Sequence, residues 1–136
     1  MNVYDVLRRD EGLRLKPYRC TAGKLSIGYG RNLDDVGITI EEAEVMLRQD
    51  VRKAERQARS EFPWFDNLSD ARQAVVISMI FNLGLAGFKT FRRTISDIAA
   101  GRYAAAADRM KESKWASQVG QRAVRLSNAM RTGVLE

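Results

Sequence analysis

Val3, Val6 and Leu7 fall on one side of a helix, and Asn2 stands where an N-cap is needed. A first helix is therefore predicted from Asn2 through Asp10, closed by Gly12. Beyond it the period shortens. Leu13 and Leu15 alternate with charged residues, and Leu25, Ile27 and Tyr29 alternate with Ser26, Gly28 and Gly30. That alternation predicts two or three short strands between Leu13 and Ile38, with Thr21-Ala22-Gly23-Lys24 as the turn. At Thr39-Ile40-Glu41-Glu42 a hydroxyl residue precedes a glutamate by three positions, the spacing of a capping box. Ala43, Met46, Leu47, Val51, Ala54 and Ala58 then carry a helix to about Arg59. Phe62-Pro63-Trp64-Phe65 reads as an aromatic loop, and Ser69 opens an apolar helix ending at Gly84. Three further short helices are predicted, over about Thr90 to Ala100, Tyr103 to Glu112 and Val119 to Arg131.

These elements predict one α+β domain over 1–136, mostly α. A small β lobe (about 13–38) and a larger helical lobe (about 1–11 and 60–136) are joined by a long helix (about 39–59). A cleft is expected between the two lobes, with Glu11 at their junction. No uninterrupted apolar run is long enough for a membrane span, and Asp5 interrupts the start where a cleavable export signal would be apolar. The expectation is a protein made in the cytoplasm.

Composition narrows the chemistry. There is no histidine, which removes His-dependent triads, His-ligated zinc and imidazole acid-base catalysis. One cysteine, Cys20, cannot form an intramolecular disulfide. Catalysis then falls to carboxylates, hydroxyls, amines or that thiol. The net charge of +6 favours polyanionic surfaces, whether nucleic acid, anionic lipid or an anionic wall. Much of the excess lies beyond residue 100, where Arg102, Arg109, Lys111, Lys114, Arg122, Arg125 and Arg131 outnumber Asp108, Glu112 and Glu136.

Glu11 follows the apolar face of the first helix and precedes Gly12. Burial at a lobe junction would raise its pKa toward that of a general acid. Asp10 reads as an ordinary ion-pairing surface acid.

Asp10-Glu11-Gly12-Leu13-Arg14-Leu15-Lys16 with Ser26-Ile27-Gly28-Tyr29-Gly30 closely resembles the start of the phage-type lysozymes, a glycoside hydrolase family. The resemblance continues through Glu42-Ala43-Glu44, Gln49-Asp50-Val51, Phe81-Asn82-Leu83-Gly84, Ala86-Gly87-Phe88, Ser113-Lys114-Trp115, Arg122-Ala123 and Arg131-Thr132-Gly133. It covers essentially the whole chain. The family pattern is Glu, eight residues, Asp or Cys, five residues, Thr; here it is Glu11, Cys20 and Ser26, with both spacings kept. Serine at 26 keeps the hydroxyl without the methyl that restricts rotamers. The stretch from Leu33 to Gly37 is shorter than in longer family members, which implies a smaller β lobe.

The resemblance implies a metal-independent, cofactor-free muramidase that cleaves the β-1,4 bond between N-acetylmuramic acid and N-acetylglucosamine in bacterial peptidoglycan. Glu11 would protonate the departing oxygen. Three roles stay open for Cys20: base activating water, covalent nucleophile, or polar helper to Ser26. The base is favoured, with inversion as its outcome. Gly30, Phe81, Asn82 and Gly84 match glycan-contacting positions. Arg122 matches the arginine that approaches the catalytic glutamate, and Arg31 with Asp50 matches an ion pair between lobes. The resemblance also implies a monomeric endolysin that waits in the host cytoplasm until a holin opens the inner membrane, then acts in the periplasm. It implies no nucleic-acid partner and no stable membrane insertion.

Two other classes compete. In Gln118 to Met130 the stripe Val119, Ala123, Leu126 and Met130 beside Arg122 and Arg125 would suit a membrane-disrupting helix. A noncatalytic glycan-binding module would follow if the cysteine had cost the activity. Nucleic-acid binding has only the charge in its favour and no motif. Trp115 is expected in the core, and Trp64 is assigned no role.

Overall fold

A computed structural model describes all 136 residues. Helix α1 spans Val3–Glu11, followed by strands β1 (Arg14–Arg19), β2 (Leu25–Gly28) and β3 (Arg31–Asn32). Helix α2 (Ile40–Glu61) and a single 3-10 turn (Phe65–Asn67) lead to α3 (Asp70–Lys89). Four helices complete the chain: α4 (Arg92–Ala99), α5 (Tyr103–Glu112), α6 (Lys114–Val119) and α7 (Gln121–Thr132). The fold is mostly α with one small antiparallel sheet, the α+β class expected from the pattern. The chain divides into two compact units, Met1–Met46 and Leu47–Glu136. The division falls inside α2, and α1, expected with the helical lobe, groups with the sheet.

The first unit is built from local hydrogen bonds. Asn2 Oδ1 accepts from the Asp5 N–H at 3.0 Å and the Asp5 carboxylate accepts from the Asn2 N–H at 3.2 Å, a reciprocal box that starts α1. The apolar side of α1 is not covered: no residue of the helix is buried, and Val3, Tyr4 and Leu7 are exposed. The sheet order is β1-β2-β3, with Tyr18 opposite Ser26 and Arg19 opposite Leu25. The β1–β2 turn closes through Cys20 N–H to Lys24 O at 2.9 Å and Gly23 N–H to Cys20 O at 2.8 Å. Gly23 takes a φ of +79°, which favours glycine. After β3, Asp34 reaches back to accept from the Leu25 N–H at 2.7 Å.

Burial dominates the second unit. Val75, Val76, Met79 and Ile80 of α3 are buried with Phe65, Phe88, Ile98, Met110 and Met130. By length and mean hydropathy alone α3 is long and apolar enough to cross a membrane, although charged and polar residues interrupt it. Here it is the central core helix. Its Ser69 cap accepts from the Arg72 N–H at 3.3 Å. At Gly84 the backbone turns to φ 75°, ψ 162°, so the predicted end there is a kink, after which the helix resumes to Lys89. Phe62 stacks on Trp64 at 4.8 Å and meets Phe88 edge-on at 5.6 Å, so the aromatic loop plugs one side of the core.

The C-terminal stretch holds four helices where three were expected; α6 was missed. Ser113 caps α6 by accepting from the Ala116 N–H at 3.2 Å, and Gly120 ends it. Trp115 is buried, as expected, and donates its indole N–H to Asn82 Oδ1 at 2.8 Å. In α7, Ala123 and Met130 are buried and Val119 and Leu126 pack against the core. The apolar stripe that suited a membrane-disrupting helix is therefore committed to packing, which removes the observation behind that reading.

Candidate active site

Cys20 and Ser26 come together because the turn is short. Cys20 directly follows β1, Ser26 sits one pair into β2, and the Tyr18–Ser26 register sets the hydroxyl beside the sulfur. The thiol is half-buried and Ser26 is 2% exposed. The Lys24 backbone N–H, pointing at the sulfur, is the largest influence on Cys20 and holds its pKa below the usual thiol value; the Ala22 N–H acts in the same direction. Partial burial opposes them, and the Ser26 hydroxyl adds a smaller stabilisation of the thiolate. No charged side chain is among the causes of the lowering. The turn amides supply it instead, and Arg19 Nη1 is bonded to Gly23 O at 3.1 Å.

Glu11 is the last residue of α1, and its side chain lies along Gly30. Gly30 has a φ of +73°, and a Cβ there would stand 2.5 Å from Glu11 Oε2. The expectation of a carboxylate desolvated at a lobe junction is corrected: Glu11 is exposed. The reason is local, since α1 buries none of its residues and delivers Glu11 straight into an exposed strand. Asp10 pairs with Arg9 at 2.9 Å on the surface, as read from the sequence.

Arg31 requires a second correction. Its guanidinium holds Glu42, not Asp50, through Nη1–Oε1 at 2.9 Å and Nη2–Oε2 at 2.8 Å, and Nη1 also donates to Gly37 O at 3.0 Å. Glu42 is positioned by its own cap: its N–H donates to Thr39 Oγ1 at 3.1 Å and its Oε1 accepts from the Thr39 N–H at 2.9 Å. Asp50 lies roughly 12 Å farther along α2 at 1.5 Å per residue. Arg31, then the Thr39 N–H, lowers the pKa of Glu42 from 4.5 to about 2. The sequence signal for this pair was the capping box, which was read only as a helix start.

In the second unit, Phe81, Gly84 and Asp50 line one open concavity of about 430 Å³ together with Lys53 and Gln57. Phe81 is 46% exposed there, a large apolar side chain with room for a sugar face. Asn82 is not part of that wall; its Oδ1 accepts from Trp115. Arg122 is held within its own unit by Ser78, at 3.1 Å to Oγ and 3.4 Å to O. No three His, Cys, Asp or Glu side chains gather in a way that would hold a metal ion.

The chain is mostly helical with one small antiparallel sheet, and Cys20 and Ser26 flank the turn between β1 and β2. The family model for phage lysozyme matches residues 8–131, and the chain belongs to that family. It is 37% identical over 116 residues to an endolysin of Acyrthosiphon pisum secondary endosymbiont phage 1, an alignment covering 80% of this chain and 75% of that one. It is 28% identical over 163 residues to a probable T4-type lysozyme 1 of Dictyostelium discoideum, covering 98% and 96%. The pre-baseplate central spike protein Gp5 of Enterobacteria phage T4 is 29% identical over 164 residues, and there the match spans all of this chain but only 28% of the spike protein. The chain is thus a lysozyme, a glycoside hydrolase.

Proposed function

We propose that the chain is an endolysin muramidase that hydrolyses the β-1,4 bond between N-acetylmuramic acid and N-acetylglucosamine in peptidoglycan. Glu11 is the general acid and gives its proton to the glycosidic oxygen as the C–O bond breaks. The sugar carbon, now oxocarbenium-like, takes the oxygen of a water held by Ser26, and the Cys20 thiolate accepts that water's proton. The products are two sugar hydroxyls, with the thiol and the ionised Glu11 left to exchange protons with solvent. Attack by water on the face opposite the leaving group inverts the anomeric centre. What supports this reading is the pairing of a thiol of lowered pKa with a buried serine hydroxyl, at the spacings from Glu11 that the family uses.

Gly30, Phe81, Asn82 and Gly84 are assigned to glycan contact, Gly30 by leaving room for the Glu11 carboxylate and Phe81 with Gly84 by lining the open concavity. Arg31 is assigned to stiffening the segment after β3 through Glu42. We further propose a monomer that resides in the host cytoplasm, depends on a holin for access to the wall and is drawn to the anionic wall by its net charge of +6.

The deciding experiment compares wild type and Glu11→Gln for turbidity loss of outer-membrane-permeabilised cells. The acid assignment requires a loss of at least about 100-fold, the lower end for removing a positioned proton donor. A Glu11→Gln variant that lyses at near wild-type rate overturns the assignment.

A further inference from the structure

A cavity of about 610 Å³ lies wholly within the second unit, between the first turn of α4 and the junction of α5 with α6. Four features of its lining point to one kind of ligand. Arg92, Arg93 and Lys114 are exposed at its rim and none has a carboxylate partner. The lining also includes Arg109, which is already engaged by Asp97 at 2.6 Å, and one acid, Glu112. Phe91 at the start of α4 offers no side-chain cap, so the N–H groups of Arg92, Arg93 and Thr94 are the orphan donors of that helix. Thr94 is 3% exposed, lines the cavity, and makes no side-chain hydrogen bond. Since no fully buried side-chain oxygen lacks a partner, its hydroxyl opens into the cavity. Trp115 and Phe91 meet edge-on at 6.1 Å and give the cavity an apolar floor.

We propose that this cavity is a binding site for a phosphorylated sugar, separate from the residues that carry hydrolysis. Three unpaired cations, a row of backbone donors and a free hydroxyl offer more donors than a carboxylate's two oxygens take up. They suit the three terminal oxygens of a phosphate monoester. The aromatic floor suits the apolar face of a sugar ring carrying that phosphate. A wall or envelope glycan bearing phosphate would thereby be held by the enzyme while it cuts a neighbouring strand.

Calorimetric titration tests this with glucosamine 6-phosphate, inorganic phosphate and vesicles of phosphatidylglycerol in phosphatidylcholine. The expected result is saturable binding of glucosamine 6-phosphate at least fivefold tighter than inorganic phosphate. An Arg93→Ala/Lys114→Ala double variant should weaken it at least tenfold, and Arg125→Ala, which removes a charge outside the cavity, should leave it unchanged. Thr94→Val should weaken it too, with the melting temperature confirming that both variants are folded. Absence of saturable binding, or equal weakening by Arg125→Ala, overturns the site. Equal affinity for the two phosphates overturns the sugar. Binding to the anionic vesicles alone, lost in the double variant, reassigns the cavity to a membrane surface and overturns the proposal. Lysis is not the readout, so failure here is distinct from failure of the Glu11 assignment.

Discussion

The Glu11 carboxylate occupies the space a side chain at Gly30 would fill: a Cβ on Gly30 would lie 2.5 Å from Glu11 Oε2 and 3.0 Å from its Cδ. The obstructing atoms are the far end of a flexible side chain, so Gly30→Ala can be relieved by swinging Glu11 away. The positive φ of Gly30 adds about 1–2 kcal/mol of strain for an L-residue. The variant should remain folded with a modestly lower melting temperature and lose at least tenfold in lytic rate. Activity falling only in proportion to unfolded protein would show that Gly30 does not position the acid.

Cys20 sets the pH dependence if it is the base. A base must be deprotonated, so the rate should rise with pH through the thiol pKa, which the Lys24 and Ala22 amides hold below its ordinary value of 9.0. In Cys20→Asp the group is ionised far lower, so lysis should persist and its rising limb should move to acidic pH. An unchanged limb would assign it to another group, and a retained anomeric configuration by NMR would make sulfur a nucleophile.

The parts of the fold that were legible in the sequence are those whose instructions are local. The Asn2 cap, the box at Thr39/Glu42, the Ser69 cap and the turn at Gly23 each lie within a few residues, and the structure forms them. Gly84 was read as a stop because a positive φ breaks a helix; that the helix resumes depends on Phe88 finding the core. Helix α6 is too short to show a period at all. The pairing of Cys20 with Ser26 was implied by the resemblance to the phage-type lysozymes, whereas the amides that tune the thiol belong to the turn's geometry and carry no residue-type signal. Glu11 was expected to be buried because α1 has an apolar stripe, but a stripe does not say whether anything covers it.

The Arg31–Glu42 pair predicts an acid-sensitive component of stability. The folded pKa of Glu42, about 2, lies below its unfolded value near 4.5, so its contribution is fully present above about pH 4.5 and is lost as pH falls toward 2. Thermal melts should show Glu42→Gln less stable than wild type at pH 7, with the difference closing by about pH 2. Asp50→Asn, in contrast, should leave the acid limb of the melt in place. A Glu42→Gln difference independent of pH would mean that shape, not charge, holds the two residues together.

Arg72 fastens the end of α7 to α3. Its Nε donates to Met130 O at 2.8 Å and its Nη2 to Arg131 O at 3.0 Å, satisfying carbonyls that the last turn of a helix leaves unpaired. The same guanidinium lies 3.8 Å from the centre of the Tyr103 ring at the start of α5, so one planar cation joins three helices. Hydrogen bonds involving a charged group contribute roughly 1.5–3 kcal/mol. Arg72→Ala should therefore lower stability to denaturant by about 2 kcal/mol with little change in lytic rate per folded molecule. Arg72→Lys should recover only part of it, because an ammonium lacks the flat fork that reaches both carbonyls while covering the ring. Full recovery in Arg72→Lys would assign the effect to charge near the helix C-terminus alone, and the fork would then be incidental.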